Sequence, residues 1–335
     1  MRRVRFGVIG VGDFGETHVR VLQCMENAEV EAVCDIDEKR ARKVAAEHNI
    51  KRYCTNYNEL VQDKGIEAVT IATSEHMHLK PTLSAAQGGK HILLEKPFAT
   101  SLEDADKMIE AVNDAGVFFM VGHVLRFDPR YAAVKERIES GQLGKIDTIY
   151  ARRNTSRGAA AHYMKKTYPL LDAGIHDIDL MLWYTQDRVE RIYTEAASSL
   201  DLPYPNIMAS ILKFKRGAVG IVENFCNLPD RVAFPFNVDA RMDVTGTKGS
   251  ASLDFSRHSL SLCGEKGWEN PDTYYWPEVH GRTVGDLRGE FEYFIGCILN
   301  GKKPELNNAQ EARASLEVAL AGVESLKLHK PIVLK

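Results

Sequence analysis

Short apolar runs alternate with amphipathic stretches from residue 4 to about residue 121. The runs at 4–9, 30–34 and 66–72 have the length of buried strands, whereas 37–48 and 101–115 have helical spacing. Strands that alternate with helices in this way are typical of a parallel, doubly wound sheet. The pattern predicts that the first part of the chain is an α/β fold of this kind.

The pattern changes after about residue 122. From Asn237 to Thr245 the side chains alternate between apolar and polar, which indicates a sheet with one buried face, usually antiparallel. Near the end, a helical apolar stripe runs through Leu316, Ala319, Leu320, Val323 and Leu326. We therefore predict a first domain over 1–122 and a second over 123–335, whose last helix, about 307–328, could pack back on the first domain.

A glycine-rich turn follows the first predicted strand. The run Val4–Ile9 leads into Gly10, Gly12 and Gly15, and a helix begins at once. In a G-x-G-x-x-G turn between strand and helix, the first glycine permits the tight turn and the second lets the backbone approach a pyrophosphate. The third lets the helix pack closely on the strand. The spacing predicts a dinucleotide-binding site.

Asp35 ends the second predicted strand, about twenty residues after the last glycine of the turn. A carboxylate at this place accepts hydrogen bonds from the adenosine ribose and repels the 2′-phosphate of NADP, so we expect NAD in preference to NADP. The other residues predicted to bind the cofactor follow strands at the same edge or open the first helix: Asp13, Phe14, Thr73, His78, Glu95 and Lys96.

Lys96 stands in the tripeptide Glu95-Lys96-Pro97, directly after a predicted strand. Ligands bind outside the carboxyl ends of such strands, and a lysine there could stabilise negative charge that develops on a substrate hydroxyl. A solvated surface lysine fits the position equally well.

A second candidate set lies in the stretch 171–180. Asp172 and His176 are four residues apart and Asp179 follows three later, which places all three on one face of a helix. A carboxylate beside an imidazole orients a general base. The alternative is an amphipathic helix whose polar edge happens to carry His176. We predict no metal site, because the histidines at 76, 78 and 91 lie on different elements and no cysteine pair occurs.

The composition is that of an ordinary globular protein, with 44% hydrophobic and 27% charged residues among 335. A formal net charge of -3 gives no reason to expect nucleic acid or a membrane as partner. The six cysteines are scattered and no apolar run approaches the length of a membrane span, so we expect a cytoplasmic protein with free thiols.

Four motifs together resemble the glucose-fructose oxidoreductase / inositol dehydrogenase / rhizopine-catabolism (Gfo/Idh/MocA) family. They are the glycine turn, Glu95-Lys96-Pro97, the segment 126–129 and the Asp172 to Asp179 set. The resemblance implies a nicotinamide-binding Rossmann domain joined to an α/β domain with a large open sheet that often serves oligomerisation. It also implies a catalytic lysine, aspartate and histidine, which here are Lys96, Asp172 and His176. The residues expected to contact substrate are Lys96, Arg126, Tyr163, Asp172 and His176.

These expectations describe an NAD(P)-dependent oxidoreductase that moves a hydride between the nicotinamide and a secondary alcohol of a sugar, a cyclitol of the inositol type or a sugar derivative. The expected assembly is a homodimer or homotetramer. Two other functions stay open at this point: a non-catalytic, ligand-responsive regulator on the same fold, and a hydrolase that holds NAD permanently.

Overall fold

The computed structural model describes residues 2–163, 165–230, 238–255, 260–264, 267–269 and 271–335. These residues form two compact units. The first consists of Met1–Asp128 and Tyr274–Arg313, and the second of Pro129–Thr273 and Ala314–Lys335. The predicted division put everything after residue 122 in one domain, whereas the structure groups the segment 274–313 with the first unit.

A six-stranded parallel sheet forms the centre of the first unit, with strand order β3-β2-β1-β4-β5-β6. This order confirms the doubly wound sheet expected from the alternating pattern. The strands are β1 Val4–Ile9, β2 Ala28–Cys34, β3 Arg52–Cys54, β4 Ala68–Ile71, β5 His91–Glu95 and β6 Phe119–Gly122. The order reverses at β1, and in such sheets the ligand-binding crevice lies at this reversal.

The connections between these strands are helical, as the periodicity predicted. They are α1 Asp13–Gln23, α2 Glu38–Glu47, α3 Asn58–Gln62, α4 Leu79–Gln87 and α5 Leu102–Ala115, with 3₁₀ turns at Glu75–Met77 and Val124–Phe127. Local chemistry fixes the ends of α5. The hydroxyl of Ser101 accepts a hydrogen bond from the Asp104 N–H at 3.1 Å, and Gly116 ends the helix at φ +65°.

The segment 274–313 belongs to the first unit because its helix α9, Asp286–Asn300, buries aromatic side chains in that unit's core. Phe291 and Phe294 are fully buried, and the Phe291 ring meets the Phe6 ring edge-on at 6.1 Å. Phe6 lies on β1, so α9 covers the sheet itself. Sequence pattern alone does not show to which core such a late helix returns. Two short strands, β15 Glu278–Val279 and β16 Arg282–Thr283, precede α9.

The second unit is built on a seven-stranded sheet of order β12-β11-β7-β10-β9-β8-β17. Its strands are β7 Ile146–Ser156, β8 Val189–Ala197, β9 Ile207–Phe214, β10 Val219–Leu228, β11 Asp239–Gly246, β12 Gly249–Asp254 and β17 Ile332–Val333. All neighbours pair antiparallel except β7 and β10, which confirms the large, mostly antiparallel sheet. The predicted strand 237–245 is β11. Asn237 lies outside the described residues.

The helices of the second unit are α6 Pro129–Glu139, α7 Arg157–Tyr163 and α8 Ile175–Thr185, together with the part of α10, Ala309–Leu328, that follows residue 313. Two further short strands of the described chain, β13 Leu262–Gly264 and β14 Gly267–Glu269, pair antiparallel with each other. Among the residues that the structure describes, no helix is both long enough and apolar enough to cross a lipid bilayer.

Candidate active site

The glycine turn has the geometry that its spacing predicts. Gly10 has φ +84°, and a Cβ there would lie 2.8 Å from the carbonyl oxygen of Ala72. A Cβ on Gly15 would collide with the carbonyl oxygen of Gly10. A Cβ on Gly12, by contrast, would meet no atom within 4 Å. Local packing thus requires two of the glycines, while the open space beside Gly12 is what a close-lying pyrophosphate needs.

Helix α1 begins directly after Gly12, so its free N–H groups open onto that space. Asp13 is exposed and Phe14 is half-buried at this end. The ring of Phe14 lies 5.3 Å from that of Trp276, also in the first unit. These contacts hold the helix start in place beside the turn.

Asp35 is buried at the end of β2, and its carboxylate is already oriented by backbone donors. It accepts hydrogen bonds from the N–H groups of Val11 and Asp37, each at 2.9 Å. The guanidinium of Arg40 also donates to it, at 3.2 Å. The carboxylate therefore stands beside the glycine turn, where the cofactor ribose was expected, and Arg40 offsets part of its charge.

His78 connects the loops that follow β4 and β5. Its ring is buried, with Nε2 3.0 Å from the Thr73 carbonyl oxygen and Nδ1 3.0 Å from that of Pro97. Burial lowers the pKa of His78, although the backbone carbonyls of Thr73 and Phe98 act in the opposite direction. The buried ring thus contacts the backbone of both loops. The hydroxyl oxygen of Thr73 is buried and has no hydrogen-bond partner among the described residues.

Lys96 follows β5 and is half-buried at the carboxyl edge of the parallel sheet. Its backbone N–H donates to the Glu95 carboxylate at 3.1 Å, and Glu95 itself is buried. Because β5 lies beside β4, the loops that carry Lys96 and Thr73 leave the same edge. The edge at which parallel sheets bind dinucleotides therefore carries the glycine turn and, from the loops after other strands, Asp35, Thr73 and Lys96.

Arg126 lies in the 3₁₀ turn after β6, and its side chain is only 1% exposed. The guanidinium contacts the Glu311 carboxylate at 2.9 Å within the first unit. This ion pair connects the turn to the start of α10. The predicted substrate contact of Arg126 stays a prediction.

Asp172 and His176 belong to the second unit and occupy two kinds of helix. The sequence predicted one regular helix, but Leu170–Gly174 forms a π-helical turn and α8 begins only at Ile175. The backbone packs closely at this turn, since a Cβ on Gly174 would collide with the side-chain oxygen of Asn224 on β10. The wide turn brings the backbone against that strand. Such turns occur often at functional sites.

The acidic residues of this stretch divide into two kinds. Asp177 is completely buried and accepts two hydrogen bonds from the guanidinium of Arg153, at 2.8 and 3.3 Å. Burial raises the pKa of Asp177, and the Arg153 charge opposes that rise. Asp179 is buried and accepts a hydrogen bond from the Ser315 hydroxyl at 3.0 Å. Asp172 and His176, by contrast, are only half-buried.

The negative charge of Asp172 acts on a buried thiol of β10, that of Cys226. Burial, together with the negative charge of Asp172, raises the pKa of the Cys226 thiol to about 11, against a hydrogen bond with Thr155. Tyr163 is the last residue of α7, and its side chain lies outside the described part of the chain. Its predicted substrate contact therefore stays a prediction.

Two supporting residues, Arg153 and Asn224, were not singled out from the sequence. Each is an inward-facing polar residue on a strand whose other inward positions are apolar. Arg153 follows Ile149 and Ala151 on β7, and Asn224 follows Val222 on β10. A polar side chain at a core position of a period-two pattern is the signal that identifies both. In the described ranges, no group of three or more metal-ligating side chains is close enough to hold an ion.

Comparisons with known proteins cover nearly the whole chain. The GFO/IDH/MocA model described as an oxidoreductase family with an NAD-binding Rossmann fold matches residues 4–123, and the GFO/IDH/MocA C-terminal domain model matches 131–252. The scyllo-inositol 2-dehydrogenase (NAD(+)) of Bacillus subtilis is 31% identical over 99% of this chain and 96% of its own. The myo-inositol 2-dehydrogenase of Thermotoga maritima is 26% identical over 99% of both chains.

A solved structure has the same fold at lower identity. The scyllo-inositol dehydrogenase of Lactobacillus casei, crystallised with NAD(H) and scyllo-inositol, superposes with a TM-score of 0.85 at 19% identity, covering 99% of both chains. The two family models together span most of the sequence; the first covers all six strands of the parallel sheet, and the second covers β7 to β11 and most of β12. The chain therefore belongs to the GFO/IDH/MocA family of oxidoreductases, and its first unit carries the family's NAD-binding Rossmann domain.

Proposed function

We propose that this protein is an NAD-dependent dehydrogenase that oxidises a secondary hydroxyl of a cyclitol of the inositol type. The observation that carries the proposal is the division among the polar residues of the stretch 172–179. Asp177 and Asp179 are buried and hydrogen-bonded to Arg153 and Ser315, respectively. Asp172 and His176 are partly accessible to solvent. The full-length similarity to two inositol 2-dehydrogenases supports a cyclitol over other alcohols.

The residues that would hold NAD are those of the first unit's carboxyl edge. The backbone at Gly12 and the first N–H groups of α1 fit the pyrophosphate, and Asp35 fits the ribose. When bound, NAD supplies the hydride acceptor. We assign further contacts with NAD to Gly10, Gly15, Asp13, Phe14, Thr73 and Lys96. The buried side chains of His78 and Glu95 do not contact NAD in this proposal but bind the backbone of the loops that carry Thr73 and Lys96.

His176 is the proposed general base, which takes the proton of the reacting hydroxyl. Lys96 is proposed to donate a hydrogen bond to the same oxygen and so favour its anionic character. Asp172 would orient the imidazole and accept from a neighbouring hydroxyl of the ring. These three roles rest on the family resemblance and on burial: Lys96, Asp172 and His176 are each partly exposed, whereas the nearby Asp177 and Asp179 are buried. We further propose that Arg126 and Tyr163 help to shape the substrate site.

A homo-oligomer is the proposed assembly, a dimer or a tetramer. The support is an exposed apolar pair on the seven-stranded sheet, where Ile211 of β9 and Ile221 of β10 lie side by side with 54% and 38% of their surfaces exposed. Apolar sheet surface of this kind is commonly covered by a partner. We also propose a cytoplasmic location, which the six free cysteines support.

The test is a substrate panel with purified protein and NAD, followed through the absorbance of the reduced nicotinamide. It should contain myo-inositol, scyllo-inositol, several aldoses and several linear polyols. We expect net reduction of NAD with an inositol and far slower reduction with linear polyols. Net reduction with aldoses alone would replace the cyclitol assignment by a sugar dehydrogenase. Substrate cleavage without net reduction would establish the hydrolase that holds NAD permanently.

A further inference from the structure

A buried polar cluster lies directly beneath Lys96 in the first unit. It contains His18 of α1, Thr70 of β4 and Glu95 of β5, with exposed fractions of 0%, 0% and 6%. The last residue of β5 is this glutamate, whereas β1 and β4 end with an apolar residue, Ile9 and Ile71. Burying a carboxylate is costly compared with burying an apolar side chain of similar size. The presence of Glu95 at this place therefore calls for a functional reason.

The contacts of the cluster form a chain from Thr70 through His18 and Glu95 to the backbone N–H of Lys96. The Thr70 hydroxyl lies 2.8 Å from His18 Nδ1, and His18 Nε2 lies 3.1 Å from Glu95 Oε1 in an off-axis contact. The other carboxylate oxygen, Oε2, accepts the Lys96 N–H at 3.1 Å. The imidazole thus lies between the Thr70 hydroxyl and the Glu95 carboxylate and contacts both.

Packing keeps the cluster in this arrangement. A Cβ on Gly122 of β6 would lie 2.7 Å from Glu95 Oε1, so the absence of a side chain at 122 makes room for the carboxylate. The His18 ring is held between the rings of Phe14 and Phe291, at 4.9 and 5.1 Å between centroids. The carboxylate and the imidazole are thus both packed against their neighbours.

We propose that Glu95 and His18 are positioning residues for Lys96. The carboxylate fixes the peptide N–H at the end of β5, and His18 fixes the carboxylate, so the Lys96 amine is presented from one defined backbone position. This inference rests on the proposed role of Lys96 in the dehydrogenase reaction. Misplacing a reacting group by about 1 Å can cost about 100-fold in rate. The cluster should therefore affect turnover far more than cofactor binding, for which the glycine turn and Asp35 supply the main contacts.

The first test compares Glu95→Gln with the wild-type enzyme. The amide cannot accept at both of its ends, so it loses the hydrogen bond to Lys96 N–H or the contact with His18. We expect kcat to fall by about 10- to 100-fold while the dissociation constant of NAD, measured by fluorescence titration, stays within about threefold. The matched control is His91→Gln. His91 starts the same strand at the opposite edge of the sheet, where its Nδ1 accepts the Phe118 N–H, so kcat should not change.

The second test uses two variants of His18 that should lose similar packing. In His18→Gln the amide can still donate to Glu95, whereas His18→Met offers no donor. A positioning role predicts that His18→Gln keeps most of kcat and that His18→Met loses about as much as Glu95→Gln. A merely structural role predicts that His18→Gln and His18→Met have the same kcat, even if their melting temperatures differ.

The outcomes separate this inference from the proposed function. If the wild-type protein reduces NAD with an inositol and Glu95→Gln and His18→Met both keep wild-type kcat, the positioning role is overturned and the dehydrogenase assignment stands. If the wild-type protein reduces no NAD with any alcohol, the proposed function fails, and the inference fails with it. A parallel loss of NAD affinity and kcat in His18→Met would also overturn the positioning role, because it would mark general damage to the first unit.

Discussion

The amine of Lys96 is the residue-scale feature on which the proposed chemistry depends most. From the sequence it was equally compatible with a solvated surface lysine. The structure places it half-buried after β5, with its backbone N–H held by the Glu95 carboxylate. A surface lysine needs no such support. The position at the carboxyl edge of a parallel sheet is also the place where ligands of this fold bind.

Replacing Lys96 by Met should remove turnover and keep most of the NAD affinity, because the glycine turn and Asp35 supply the main contacts with the cofactor. The methionine keeps much of the stem volume but cannot donate to the substrate oxygen, and losing one such donor costs about 100-fold or more in kcat. Initial rates with an inositol and NAD titrations measure the two effects. Lys80→Met on α4 is the matched control, since Lys80 is an exposed lysine of the same unit. Near-normal kcat in Lys96→Met would show that Lys96 has no part in the reaction.

His176 should control the pH dependence of oxidation. A general base must be neutral to accept a proton, so the rate should rise with pH over the range in which a histidine loses its proton. In His176→Ala this rise should disappear and oxidation should slow by about 10²- to 10⁴-fold. The control is His329→Ala, because His329 is an exposed histidine of the same unit. If folded His176→Ala binds NAD and keeps the wild-type pH profile, another group is the base.

At the scale of elements, the sequence predicted most of the first unit because local and global signals agree there. Ser101 and Gly116 mark the ends of α5, and the glycine turn marks the start of α1. The short strand β3 was not predicted, since three residues carry no periodic signal. The π-helical turn at Leu170–Gly174 was not predicted either; its Gly174 lies against Asn224, a residue distant in sequence that a local pattern does not reveal.

The loops after β4 and β5 should make the stability of the fold depend on pH through His78. Burial lowers the pKa of His78 in the folded state, so protons bind more readily to the unfolded chain. The stabilising contribution is therefore complete above about pH 6.5, the usual value for histidine, and is lost as the pH falls through the lower folded value. Burial lowers the pKa of His91 as well, and its contribution has the same sign.

Urea unfolding between neutral and mildly acidic pH measures this effect. The midpoint of the wild-type protein should fall with decreasing pH, and His78→Asn should have a lower midpoint at neutral pH but a smaller fall. His329→Ala should keep the wild-type pH dependence, because that residue is exposed. An unchanged fall in His78→Asn would mean that the buried ring does not titrate on unfolding as proposed.

At the scale of the whole molecule, the chain order misled the division into domains. The segment Tyr274–Arg313 returns to the first unit after strands β7 to β12 of the second sheet, because Phe291 packs on Phe6 of β1 and Phe294 is buried in the same unit. Amphipathic pattern shows that a helix has an apolar face, but it does not say which sheet that face covers. Family resemblance correctly supplied the open second sheet, which alternation over a single strand could not.

The open sheet should also determine the assembly. We expect a dimer or a tetramer at micromolar concentration, and Ile211→Asp should shift it toward monomer, since a charge would then replace apolar surface in the contact. Sedimentation velocity measures the change. Leu328→Asp is the control, because Leu328 is similarly exposed, at 49%, but lies at the end of α10. A wild-type protein that is monomeric throughout would contradict the proposed assembly.

The transfer of hydrogen from a cyclitol carbon to NAD tests the proposed function most directly. Myo-inositol or scyllo-inositol deuterated at its ring carbons is incubated with the protein and NAD, and the nicotinamide product is analysed by mass spectrometry. The proposed dehydrogenase predicts reduced cofactor that carries one deuterium per molecule, formed together with an equal amount of the cyclitol ketone. Reduced cofactor without deuterium, or no reduced cofactor with either inositol, would contradict it.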